Sequence, residues 1–311
     1  MVHLMFTEKI KLRQDKKVPR IAVMGGDKRE LILIKKLVSE GFEVAAFAVS
    51  PTELADGAIF CEEAIEALQY AMAVVLPAPP LGETGELYTA DGNPVTLTEE
   101  DFAWLSPGTP VVCGVVSPYL KKIGDKFDLN LHEMLELDEI AIPYSLPTAE
   151  GAIAIAIAED DGVLENRTAL ILGFGRIGQT LAPRLEGMGM DVIITNRNAK
   201  RRDIARLLDY NTVDWQEWPI SAARADFIFN TVPAMLLDAP VISGLKKTVI
   251  IIDLAARPGG TDFEAAAEQG IKAILAGGLP GKFAPGFAGE IMANVYTNLL
   301  KNILQMPEVQ S

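Results

Sequence analysis

An α/β fold of two doubly wound domains, each built on a parallel sheet, is predicted by three observations. Short apolar segments alternate with stretches whose apolar residues recur every three or four positions, the pattern of strands that cross over through helices. The length, 311 residues, is enough for two hydrophobic cores. The apolar run Ala169-Leu170-Ile171-Leu172 leads into Gly173-Phe174-Gly175-Arg176-Ile177-Gly178, then into a helical pattern with Leu181, Leu185 and Met188, then into a second apolar segment at residues 191–195. Strand, glycine turn, helix and strand fall where a βαβ unit needs them, so the second domain reads as a Rossmann dinucleotide-binding domain. The first glycine turns the chain off the strand, the second admits a pyrophosphate against the backbone, and the third packs helix on strand.

Taken in order, the chain begins with a charged lead that is expected to fray. A strand over residues 20–24 ends in Gly25-Gly26-Asp27, and a helix with Leu31, Ile34, Leu37 and Val38 stops at Gly41. Further strands are expected at residues 44–49, 73–76 and 111–116, with a helix over 61–70. Another helix is opened by Thr98 and its acidic first turn. Gly25-Gly26-Asp27-Lys28-Arg29 lacks a third glycine at the fingerprint spacing. It is either a cationic rim for an acidic substrate or an ordinary strand-to-helix turn. Residues 82–94, rich in glycine and turn formers, are a surface loop or a small hairpin.

The first domain, expected to bind substrate, is placed at residues 1–147 together with a C-terminal helix at 286–311, whose Ile291, Val295, Leu299 and Ile303 would form one apolar face. The cofactor domain takes residues 148–285. Between them, isoleucines alternate with alanines rather than with polar residues, which favours a helix over a strand. Thr148 is its expected N-cap and Glu150 suits its first turn. Strands at 226–230, 249–254 and 272–275 follow, and Thr261-Asp262-Phe263-Glu264 reads as a capping box.

The end of the second strand of the glycine unit selects the dinucleotide. NAD-preferring sites place Asp or Glu there to accept from the ribose 2′-hydroxyl, whereas NADP sites place Arg beside a 2′-phosphate. Here the residues are Asn196, Arg197 and Asn198, followed by Lys200, Arg201 and Arg202. No carboxylate is present to repel the phosphate, so NADP is the expected cofactor. The cofactor-binding set is then Gly173, Phe174, Gly175, Arg176, Ile177, Gly178, Asn196, Arg197, Asn198 and Arg201, with Asn230, Thr231, Val232 and Pro233 at the next strand end.

Composition narrows the partners. A formal charge of −14 argues against nucleic acid and anionic membrane surfaces and leaves a small molecule as the default. Cys61 and Cys113 are read as buried reduced thiols, and two histidines in all make a zinc site unexpected, so no metal is assigned. The first residues lack the apolar core of a signal peptide, and the expected location is cytoplasmic.

Ligands of open parallel sheets bind outside the carboxyl ends of the strands. The loops after Leu76, Val116, Asn230, Leu254 and Ala276 are therefore expected to share a cleft with the glycine turn. Ser117, Arg257 and Lys282 lie there, with Thr148 and Glu150 at the linker helix. Arg257 stands out, because it follows an apolar strand and precedes Pro-Gly-Gly, and its guanidinium can hold a carboxylate through two parallel hydrogen bonds. Its alternative role is a structural salt bridge to Asp253 or Asp262. His3, in the lead, and His132, in a leucine-rich segment read as helical, are both away from the strand ends, which leaves no histidine base for an alcohol.

The chain resembles the family of the dipicolinate synthase A subunit. The resemblance is carried by residues 173–202, Asn230-Thr231-Val232-Pro233, Asp253-Leu254-Ala255-Ala256-Arg257-Pro258-Gly259-Gly260-Thr261-Asp262-Phe263 and Gly278-Leu279-Pro280-Gly281. Ile21-Ala22-Val23-Met24-Gly25-Gly26-Asp27 and Leu146-Pro147-Thr148-Ala149-Glu150-Gly151 extend it to the first half. It implies a formate/glycerate dehydrogenase-like arrangement and oxidation of a dihydrodipicolinate-type intermediate of the lysine pathway to pyridine-2,6-dicarboxylate, with NADP+ as acceptor. It also implies a partner, the dipicolinate synthase B subunit, and the mother cell of a sporulating bacterium; the two-domain shape with a terminal apolar helix suggests a homo-oligomer as well. Arg257, Ser117, Thr148 and Glu150 are the catalytic candidates, with Lys282 and Arg29 as further cations for a dicarboxylate. The rivals are a 2-hydroxy-acid dehydrogenase, which would need a histidine near residues 277–285, and a non-catalytic NADP-binding subunit.

Overall fold

The computed structural model describes residues 18–306; the N-terminal lead, with His3, lies outside them. The chain forms two compact units, the first from residues 1–141 and 285–311 and the second from 142–284.

The first unit carries β1 (Arg20–Met24), β2 (Glu43–Phe47), β3 (Ile59–Cys61), β4 (Ala73–Val75), a small antiparallel hairpin β5 (Glu86–Leu87) and β6 (Val95–Thr96), then β7 (Pro110–Cys113) and β8 (Asn130–Glu133). Its main sheet runs β3-β2-β1-β4-β7-β8, all parallel. The second unit carries β9 (Thr168–Leu172), β10 (Asp191–Thr195), β11 (Asn211–Thr212), β12 (Phe227–Asn230), β13 (Ile250–Asp253) and β14 (Lys272–Leu275). Its sheet runs β11-β10-β9-β12-β13-β14, again all parallel. Leaving the hairpin aside, both sheets have the order three, two, one, four, five, six. The predicted pair of doubly wound parallel sheets is therefore present, and each sheet reverses its winding beside its first strand, where ligands of such sheets bind.

The strands read as continuous apolar runs because helices cover both faces of each sheet. Along β9, Ile171 points into a core with Phe227, Phe229 and Ile252, while Leu170 and Leu172 point to the other face with Ile228, Ile251 and Trp218. That alternation is the period of two that a pleated strand imposes.

Several sequence expectations are corrected. The linker helix runs over Asp138–Glu159 and contains Pro143 and Pro147. Thr148 is therefore mid-helix and not an N-cap: its hydroxyl back-bonds to the Tyr144 carbonyl at 2.7 Å, and Glu150 is exposed well beyond the first turn. Pro147 resembles a helix start because proline suits that position; here apolar packing of Ala149, Ala152 and Ala156 in the core of the second unit outweighs the hydrogen bonds that the two prolines remove. By length and composition this helix could cross a bilayer, but half of its apolar window is buried inside the protein.

Residues 61–70 are not one helix: Cys61 ends an edge strand and only Ala64–Leu68 is helical. His132 lies in β8, not in a helix. The helix Phe263–Glu268 is capped by Asp262, whose carboxylate accepts from Ala265 N, and not by Thr261. On the C-terminal helix Pro285–Ile303 the buried face is Ala288, Met292, Ala293, Tyr296 and Leu300, one residue round from the expected stripe, whose Ile291, Val295 and Leu299 are half-buried. Small residues let this helix approach the helix Lys28–Ser39 closely, with Gly289 against Ile32.

Candidate dinucleotide site

In the second unit the carboxyl ends of β9, β10, β12 and β13 lie on one edge of the sheet. The glycine turn joins β9 to the helix Arg176–Gly187, with Gly175 as N-cap. Gly173 has φ +103°, and a Cβ on Gly178 would stand 2.3 Å from the Gly173 carbonyl oxygen, so strand and helix meet at a distance only glycine allows. Nothing lies within 4 Å of where a Gly175 Cβ would be, which leaves that backbone open to a pyrophosphate. Phe174 is buried against the core and meets Tyr210 edge-on, and Ile177 packs on the same core. Phe174 therefore offers a ligand only its backbone, while Ile177 is half-buried. The open glycine and the unmatched N–H groups of a helix start are features a dinucleotide phosphate fits.

Beside the turn is a cavity of about 380 Å³ lined by Asn196, Arg197, Asn198, Trp215, Val232, Pro233, Ala234 and Leu236. The sequence identifies Asn196 to Asn198 and Val232 to Pro233 but misses Trp215, which sits in an irregular segment after the edge strand β11 and carries no motif. The strand-end turn is stiff. Asn196 Oδ1 accepts from Asn198 N at 2.8 Å, and Asn198 Oδ1 caps the next helix by accepting from Lys200 N at 3.0 Å. Arg202 braces the turn from below, donating to the Asn196 carbonyl at 2.6 Å and lying 3.4 Å from Asp214. Arg197 is exposed on the cavity wall with no ion pair among the described residues, whereas Arg201 is not part of the wall.

At the next strand ends, Thr231 Oγ1 donates to the Leu172 carbonyl at 2.9 Å and so ties the loop after β12 to the glycine turn. Arg257 is exposed on the loop after β13. It forms no ion pair with Asp253 or Asp262 among the described residues: Asp253 accepts from Asn230, Ala255, Gly260 and Thr261, and Asp262 caps its helix. Lys282 lies on the short helix Leu279–Phe283, and neither it nor Thr148 nor Glu150 touches the cavity.

Known proteins agree with this geometry. Residues 20–135 match the N-terminal domain of the dipicolinate synthase A subunit, and residues 156–270 match the NAD binding domain of the D-isomer specific 2-hydroxyacid dehydrogenases. The dipicolinate synthase A subunit of Bacillus subtilis (strain 168) is 34% identical over 91% of this chain and 96% of that protein. The chain belongs to the dipicolinate synthase A subunit family. Two solved structures agree, the dipicolinate synthase A subunit from Bacillus halodurans (TM-score 0.86, 30% identity, 91% of this chain and 97% of that one) and its counterpart from Bacillus subtilis (0.83, 32%, 94% and 99%). A dinucleotide-binding domain and a dehydrogenase-type role follow from this membership.

The first unit holds the remaining candidates. Ser117 is buried as the N-cap of the helix Pro118–Phe127, accepting from Leu120 N at 3.2 Å. Arg29 is not a rim cation: it is buried and donates through two nitrogens to Asp27, at 2.9 and 2.8 Å. Next to them the buried Glu30 accepts from Asp27 N and Ala78 N, at 2.7 and 3.2 Å, and so links the loops after β1 and β4. Burial pushes the Glu30 carboxyl up to about 7, Arg29 opposing this and Asp27 adding to it. Burial also acts to raise Asp27, but the Arg29 guanidinium outweighs it and holds that carboxyl below its usual range.

A folded-state value above the unfolded one means that the contribution of Glu30 to stability is fully present below the ordinary carboxylate range and is lost as pH rises through about 7. Relative to Glu30→Gln, the wild type is expected to lose on the order of 3 kcal/mol of stability between about pH 4 and about pH 7.5. Parallel melting curves of the two proteins across that range check it, and a pH-independent gap would contradict it.

Proposed function

We propose that the chain oxidises a dihydrodipicolinate-type intermediate to pyridine-2,6-dicarboxylate, with NADP+ as hydride acceptor, as the A subunit of dipicolinate synthase in spore formation. The observation that carries this reading is Arg257, an exposed guanidinium without an ion-pair partner among the described residues, on the carboxyl edge of the dinucleotide sheet. A substrate with two carboxylates calls for such a cation, and the planar fork of Arg suits one of them.

The bound cofactor supplies a hydride acceptor. The residues do the rest: the glycine turn and the start of the helix Arg176–Gly187 hold the pyrophosphate, Arg197 holds the 2′-phosphate, and Arg257 orients the ring by one carboxylate. Loss of one hydride and one proton converts the dihydropyridine to an aromatic ring, so little basicity is needed and the reading does not depend on a histidine base. In the first unit Ser117 is the candidate polar contact; Thr148, Glu150 and Lys282 remain candidates of second rank. The match to 2-hydroxyacid dehydrogenases favours a second reading, reduction or oxidation of a 2-hydroxy acid. That chemistry would need a histidine within residues 277–285, which hold none.

Incubation with NADP+ and the freshly generated dihydrodipicolinate-type intermediate, followed by NADPH and pyridine absorbance, tests the reading; turnover of a 2-hydroxy acid instead would overturn it. The relatives are named as one component of a synthase, which supports a second component, the dipicolinate synthase B subunit, and a homo-oligomer is proposed as well. Purified alone, the chain is expected to bind NADP+ and to turn over poorly until that second component is added. Full turnover without it would remove the need for the partner.

A further inference from the structure

Asp253 ends the apolar strand β13 and is fully buried. Its Oδ1 accepts from Asn230 Nδ2 and Ala255 N, both at 3.1 Å, and its Oδ2 accepts from Gly260 N at 2.8 Å and Thr261 Oγ1 at 2.6 Å. Ala255, Gly260 and Thr261 stand at the two ends of the loop that carries Arg257. Asn230 in turn grips the loop after β12: its Oδ1 accepts from Val232 N at 3.0 Å, and its Nδ2 also donates to the Val232 carbonyl at 3.1 Å.

The two loops are also laced directly. Leu236 N and Leu237 N donate to the Gly260 carbonyl at 2.9 and 3.0 Å, and Asp262 N donates to the Leu237 carbonyl at 2.9 Å. A Cβ on Gly260 would stand 2.3 Å from the Ala234 carbonyl oxygen, so the approach tolerates no side chain. Val232, Ala234 and Leu236 all line the cavity beside Arg197.

We propose that Asp253 is a positioning residue that couples occupation of that cavity to the posture of the Arg257 loop. The inference rests on the dinucleotide reading given above. Moving the two loops apart breaks the Asn230–Asp253 bond and the three backbone bonds between residues 236–237 and 260–262, while Asp253 holds both ends of its own loop, and buried polar groups left unpaired are costly, so the two loops hold or shift together. A dinucleotide that packs on residues 232–234 thereby restrains residues 254–261, and Arg257 is set before the substrate arrives.

Hydrogen exchange of the peptide covering 254–261, measured in the full chain with and without NADP+, tests the coupling without reference to turnover. In the wild type, saturating NADP+ is expected to slow this exchange by about fivefold or more, the lower range of coupling between sites. Asp253→Asn, which places an N–H₂ against the Gly260 and Thr261 donors, is expected to abolish most of that protection while NADPH binding, read by fluorescence titration, stays near wild type. Thr261→Val removes a single donor and should weaken the protection, with Thr261→Ser restoring it; this pair decides the matter should Asp253→Asn fail to fold. Wild-type protection in Asp253→Asn, or in Thr261→Val, would overturn the coupling alone. Absence of binding of both NADP+ and NAD+ by the wild type would overturn the dinucleotide reading and the coupling together.

Discussion

Arg257→Lys is expected to lower kcat/KM for the dihydropyridine substrate by roughly ten- to a hundredfold while leaving NADP+ affinity near wild type. A charge-assisted bidentate contact contributes about 1.5 to 3 kcal/mol, and lysine keeps the charge but loses the fork, with about 1.4 kcal/mol for each tenfold. Among the described residues Arg257 forms no ion pair with Asp253 or Asp262, whose carboxylates accept from other donors. Steady-state kinetics and a cofactor titration on the same preparation check the expectation. A loss of cofactor affinity with substrate handling intact would place Arg257 on the dinucleotide instead.

Arg197→Ala is expected to weaken NADP+ by about tenfold to a hundredfold while NAD+ affinity stays near wild type, since a 2′-phosphate is the one group that distinguishes the two and a hydrogen bond to a charged group is worth about 1.5 to 3 kcal/mol. The exposure of Arg197 puts the smaller figure within reach of salt screening, so the comparison belongs at low ionic strength. Arg202→Ala offers a contrast. Its guanidinium supports the Asn196 carbonyl, so its removal should loosen the turn and affect both dinucleotides. Equal losses of NADP+ and NAD+ in Arg197→Ala would assign that residue the same structural part.

The fold is legible in the sequence because its signals are local. Strands buried on both faces are short apolar runs, and a glycine turn between strand and helix has a fixed spacing, so spacing alone places β9 and β10 to within a residue. The linker helix reads short because Pro147 suits a helix start and only packing, which spacing does not reveal, carries the helix through it. The C-terminal stripe is displaced by one residue for a similar reason. Ile291, Val295 and Leu299 repeat every four residues, yet the buried face is the adjacent one with Met292, Tyr296 and Leu300, where Gly289 permits close approach to Ile32 of the neighbouring helix.

Of the candidate site, the residues legible in the sequence are those whose chemistry is in the backbone or in a free cation: the glycines, Arg197 and Arg257. Those that escape it act through partners distant in the chain or through a local fold-back. Asp253 suggests only an ion-pair partner for Arg257, whereas it binds Asn230, 23 positions away, and both ends of its own following loop. Arg29 looks like a rim cation because a sequence does not show that Asp27 folds back onto it.

We propose that this chain, together with a second subunit, removes a hydride from a dihydropyridine dicarboxylate and delivers it to NADP+. Counting NADPH formed against pyridine-2,6-dicarboxylate formed, in one reaction under anaerobic conditions, tests it most directly. One NADPH is expected for each aromatic ring, with both absent when NADP+ is withheld. Ring formation that proceeds without NADPH, or NADPH formed without the ring, would contradict it.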